Sequence, residues 1–77
     1  MAKQLKKEYL KMIASGKHLL GDAIKIFDRD PETIRRWVRQ KRQEINNIEM
    51  LNRLNEYLKE QGRGVEDLND LFINEKS

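Results

Sequence analysis

The sequence predicts an all-α fold, and three observations carry that expectation. Leu, Ile, Lys, Arg, Glu and Gln dominate and favour helix, whereas Val and Thr, which suit strands, are reduced to Val38, Val65 and Thr33. Apolar residues recur at spacings of three and four along most of the chain, the period of an amphipathic helix. Punctuation is sparse, with one proline and four glycines in 77 residues. A chain this short holds one domain with one modest core. The expected architecture is a compact five-helix bundle over residues 1–73, leaving 74–77 as a disordered tail.

The first helix is expected over residues 3–14, where Leu5, Tyr9, Leu10, Met12 and Ile13 form an inward stripe and Lys3, Lys6, Lys7 and Lys11 an outward one. Ser15-Gly16-Lys17 stops it, with Gly16 in the left-handed conformation. The second helix, roughly 18–27, buries Leu19 or Leu20 with Ala23, Ile24 and Phe27. Asp28-Arg29-Asp30-Pro31 then marks a sharp turn: Asp30 suits an N-cap, Pro31 suits the first helical position, and Glu32 complements the positive end of the helix. The third helix runs over 31–42. Gln40 to Asn47 is a polar connection containing only Ile45, so a break is preferred over one continuous rod. Asn46 or Asn47 caps a fourth helix that reaches about Gln61 and buries Ile48, Leu51, Leu54 and Leu58. Gly62-Arg63-Gly64 ends it. A short fifth helix from Val65 to about Ile73 places Leu68, Leu71 and Phe72 or Ile73 on one side.

Charge is distributed unevenly. Residues 1–43 carry twelve Lys or Arg against five acids, and residues 44–77 carry four against eight. The basic half suggests a footprint for a polyanion, the acidic half a solvated or partner-facing surface. With no cysteine, neither a disulfide framework nor a thiolate metal site can form. No apolar run is long enough for a signal peptide or a membrane span, so a cytoplasmic location is expected.

The third helix concentrates the chemistry. At 100° per residue, with Ile34 at zero, Val38 lies at about 40° and Trp37 at about 300°, forming an inward stripe. Arg35, Arg39, Glu32, Gln43 and Arg36 then fall between about 100° and 200°. Arginine presents a planar fork that fits the O6 and N7 acceptors of guanine, or a phosphate. Trp37 belongs with the core by its spacing, though an aromatic among arginines can also stack on unpaired bases. His18, the single histidine, reads as a helix-start residue near a phosphate or water. Ser15 and Thr33 have no histidine and carboxylate at a spacing suited to nucleophilic catalysis. No enzyme, cofactor, metal or small-molecule substrate is expected.

The run from Leu19 to Leu68 resembles the helix-turn-helix domain of the Cro and phage-repressor (Xre-like) type. Residues 23–37 resemble its helix-turn-helix unit, and Lys41-Arg42, the Ile48–Leu51–Leu54 helix and Val65 to Leu68 resemble its later elements. The resemblance implies that helices two and three form the helix-turn-helix of a five-helix domain. Two departures stand out. Ile24 occupies a position usually small, so either the helix pair is splayed or Ala23 is the contact and the turn holds one extra residue. Asp28 stands where a left-handed glycine is usual, which aspartate tolerates better than most residues.

Carried over position by position, the resemblance nominates Glu32, Thr33, Arg35, Arg36 and Arg39 for DNA base contacts, and Lys17, Arg29, Lys41 and Arg42 for phosphate contacts. The implied function is sequence-specific binding of double-stranded DNA in the major groove, as a small nucleoid-associated transcriptional regulator of the phage or mobile-element repressor kind. A homodimer through residues 48–73 would present two recognition helices to a two-fold symmetric site. The alternative is a protein-interaction adaptor, or a component of a larger DNA-handling complex, on the same scaffold. A single-strand binder would need exposed aromatics, and Tyr9 and Tyr57 both sit at core spacing.

Overall fold

Caps set the limits of the elements in the computed structural model, which describes residues 3–73. Four α-helices form, α1 (Lys7–Ala14), α2 (Leu20–Phe27), α3 (Pro31–Gln40) and α4 (Ile48–Glu60), with 3-10 turns at Gln43–Ile45 and Leu68–Leu71. The fold is all-α, but with four α-helices among the described residues rather than five. The expected tail, 74–77, lies outside those residues.

α1 starts four residues later than expected because residues 3–6 are extended and pair with the other end of the described chain. The Lys6 amide donates to the Leu71 carbonyl at 3.1 Å and the Ile73 amide to the Gln4 carbonyl at 2.8 Å, flanking an antiparallel bridge between Leu5 and Phe72. Leu5 is buried there, with Tyr9, Leu10 and Ile13 behind it on α1. α1 ends on extended Ser15, whose hydroxyl accepts the Lys17 amide at 3.2 Å. Gly16 is not in the left-handed region expected of it.

Leu19 and Leu20 are both buried at the start of α2, and Ala23 is fully buried while Ile24 is only partly so. Asp28 closes α2 in the left-handed conformation, φ 53° and ψ 47°. The three residues Asp28 to Asp30 make the whole turn between α2 and α3, and of the two candidates the smaller Ala23 goes fully inside. Asp30 caps α3 by accepting the Thr33 amide at 3.3 Å, with Pro31 at the first helical position. Ile34 is the fully buried anchor of α3, and Trp37 and Val38 pack partly buried beside it. The Trp37 ring meets Phe27 of α2 edge to face, centroids 5.5 Å apart.

α3 ends at Gln40, two residues short of expectation, because Lys41 turns left-handed, φ 53° and ψ 45°. The Arg42 amide then reaches back to the Trp37 carbonyl at 2.9 Å and the Lys41 amide to Val38 at 3.1 Å, a paired closure that satisfies the last carbonyls. This separates α3 from α4, and the 3-10 turn that follows buries Ile45 within the supposedly polar connection. Asn47 caps α4, accepting the Glu49 and Met50 amides at 2.8 and 3.3 Å. α4 buries Met50, Leu51, Leu54, Asn55 and Leu58. Ile48, expected inside, is 60% exposed at the first position of α4.

The expected fifth helix reduces to the turn Leu68–Leu71 for an identifiable reason. Val65 is held outside any helix by the Asn55 side chain, which donates to its carbonyl and accepts from its amide, each at 2.9 Å. Asp67 accepts the Asn69 amide at 3.0 Å, and 71–73 are engaged with 4–6. Only one turn remains to be helical. α1 packs on α2 and α3, α2 also on α4, and Leu71 closes the core beneath α4. No helix among the described residues is long and apolar enough to cross a membrane.

Candidate nucleic-acid interface

Burying Ile34 fixes the rotation of α3. With that residue inward and Trp37 and Val38 partly buried beside it, Glu32, Arg35, Arg36, Arg39 and Gln40 are exposed, and Thr33 is intermediate. Glu32 lies three and four residues before Arg35 and Arg36, and Arg39 three and four residues after Arg36 and Arg35, so the four share one face. Arg29 is exposed in the turn at the N-terminal end of this face, and Lys41 and Arg42 are exposed at its C-terminal end. Lys17, also exposed, stands apart in the turn between α1 and α2.

The arginines divide sharply by position. Of the seven in the chain, Arg42, Arg53 and Arg63 form ion pairs among the described residues: with Glu44 at 2.9 Å, Asp22 at 3.4 Å and Glu8 at 2.8 Å. Arg53 ties α4 to α2, and Arg63 ties the loop after α4 to α1. Arg29, Arg35, Arg36 and Arg39 close no ion pair among the described residues. Arg36 lies near enough to Asp30 to act on it through space. The Asp30 carboxyl is held below its ordinary range first by the Thr33 side-chain hydrogen bond, with the Thr33 amide and the Arg36 charge adding to it.

Two features of the expected polar face and its continuation are altered. Gln43 is not on α3: it opens a 3-10 turn, and its side-chain amide donates to the Lys3 carbonyl at 3.1 Å, joined there by Asn46 at 2.9 Å. Arg42 does not project freely, because Glu44 accepts from its Nε at 3.2 Å and from its terminal nitrogen at 2.9 Å. The same bonds hold the Glu44 carboxyl below its ordinary range. Residues two apart do not face each other on a helix, so spacing gave no signal of this pair. Extended Arg42, φ −69° and ψ 144°, brings the two together.

His18 is engaged with the Tyr57 hydroxyl of α4 through Nδ1, their rings edge to face at 5.6 Å. It is therefore a contact between α4 and the turn that precedes α2. Among the described residues no three His, Asp or Glu side chains converge as metal ligands would. Comparison with family models, curated proteins and solved structures finds no match.

Proposed function

We propose that this chain binds double-stranded DNA by laying α3 in the major groove. Glu32, Thr33, Arg35, Arg36 and Arg39 read base edges, and Lys17, Arg29, Lys41 and Arg42 grip phosphates. The observation that supports this reading is the split among the arginines. Those of α3 and the preceding turn are exposed without a carboxylate partner among the described residues, while the others are paired. A guanidinium left open on one rigid face suits bidentate recognition of guanine or phosphate. The left-handed Asp28 and the Asp30 cap hold that face at a fixed turn from α2. In this reading the protein is a nucleoid-associated transcriptional regulator of the repressor kind, built on a helix-turn-helix of the Cro and phage-repressor type.

Self-association through residues 48–73 would have Ile48 and Ile73 as its apolar contacts, since these are the large exposed apolar residues of the described chain. The same Ile48 favours the second reading, an adaptor that meets another protein through its acidic half. Ionic strength separates the two. Four nominated phosphate contacts predict that log affinity for duplex falls against log salt with a slope of about −3.6 per protomer. Selection from a random duplex library is expected to enrich a defined motif. No duplex affinity at low salt would replace this reading with the adaptor.

A further inference from the structure

Arg42 is the one nominated phosphate contact whose guanidinium is already occupied among the described residues. Glu44 meets it side-on, Oε1 on Nε at 3.2 Å and Oε2 on the terminal nitrogen at 2.9 Å. A backbone phosphate presents the same edge of two anionic oxygens to the same fork. The pair is open to solvent, with the side chains 50% and 45% exposed, and exposed ion pairs are weak enough to exchange. Its geometry is nonetheless held from both sides: the Arg42 amide is tied to Trp37, and Glu44 lies in the 3-10 turn that Arg42 begins.

We propose that Glu44 is an internal stand-in for DNA phosphate, a carboxylate that the duplex must displace before Arg42 joins the footprint. The inference rests on the DNA-binding reading above and adds a threshold to it. The Glu44 carboxylate stays ionised through the neutral range, since Arg42 holds its proton affinity low, so the competitor is present wherever binding is measured. Lys41, Lys17 and Arg29 close no such pair among the described residues, and contacts through them carry no threshold. Arg42 then penalises any encounter too loose to expel Glu44.

The test is duplex affinity of Glu44→Gln, with Glu49→Gln on exposed α4 as the control for loss of one negative charge. Thermal melting establishes that each variant is folded. Glu44→Gln is expected to bind about three- to fivefold more tightly than the wild type at low salt, with the same salt slope, because the bound state neutralises the same phosphates once Glu44 is displaced. Placed on Arg42→Ala, the same change is expected to shrink to the size of the control. An equal gain from Glu49→Gln, a gain that survives on Arg42→Ala, or no gain while the wild type binds would each overturn the threshold alone. Absence of duplex binding by both the wild type and Glu44→Gln would overturn the DNA-binding reading, and the inference with it.

Discussion

α3 and α4 end in the same way with different residues. In each, a left-handed residue lets the next amide reach back five positions, Arg42 to Trp37 at 2.9 Å and Arg63 to Leu58 at 2.7 Å. α4 places Gly62 there, φ 75°, and α3 places Lys41, φ 53°. Glycine enters that region at little steric cost, whereas a side chain raises the energy by about 1 kcal/mol. The end of α4 is thus built for stability. The end of α3 gives up some stability and keeps an ammonium group beside the arginine face, and Asp28 is a second non-glycine left-handed residue at its other end.

The arginines repeat the contrast. Arg53 and Arg63 fasten α4 and its loop to α2 and α1, whereas Arg35, Arg36 and Arg39 hold nothing together within the described chain. Substitutions around α4 should therefore change stability, and substitutions around α3 should change binding. The largest expected effect is Asn55→Ala. It removes both hydrogen bonds to Val65 and strands a part-buried amide and carbonyl, which should lower stability by about 2–3 kcal/mol. Thermal melting should register this as roughly 4–8 °C for each kcal/mol. Unchanged duplex affinity of the folded fraction would confirm that this region serves the fold.

Exchanging the two cap residues sharpens the comparison further. Gly62→Ala should destabilise by about 1 kcal/mol, and Lys41→Gly should stabilise by a similar amount. Duplex titration should show the stabilised Lys41→Gly protein binding more weakly, with a salt slope shallower by about 0.9. If Lys41→Gly gained stability and lost no affinity, the lysine would have no role in the interface.

The smallest effect concerns pH. Because the Asp30 carboxyl is lowered in the folded state by its Thr33 hydrogen bonds, its stabilising contribution is complete above the ordinary carboxylate range. It disappears as pH falls through the lowered value. Asp30→Asn, which keeps a capping oxygen, should flatten the acid limb of melting temperature against pH relative to the wild type. An acid limb of unchanged slope would remove the ionised carboxylate from the account of the α3 start.

Legibility in the sequence followed the range of the interactions. Asp30-Pro31, the buried stripe on α3 and the turn at Asp28 were readable because a cap, a ring-fixed φ and a helical period act within a few residues. The start of α1 was not. Leu5 lies four residues before Tyr9, a helical spacing that an extended residue bridged to Phe72 satisfies equally well. The last segment failed for the same reason, since Leu68 and Leu71 fit one 3-10 turn as readily as an α-helix, and Asn55 ties down both backbone groups of Val65 from ten positions away. Of the nominated interface, the exposed face of α3 was legible as a wheel. Gln43 was misplaced because nothing local marks Lys41 as left-handed. The pairing of Arg42 with Glu44 leaves no trace in the sequence because it depends on that same turn.

The central claim is that the unpaired arginines of α3 discriminate between bases. The direct measurement is affinity of Arg36→Ala and Arg39→Ala for a selected duplex and for a scrambled one at a single salt concentration. The account predicts a loss of about 1–3 kcal/mol that is confined to the selected duplex and mapped to one base pair. Equal losses on both duplexes would contradict it.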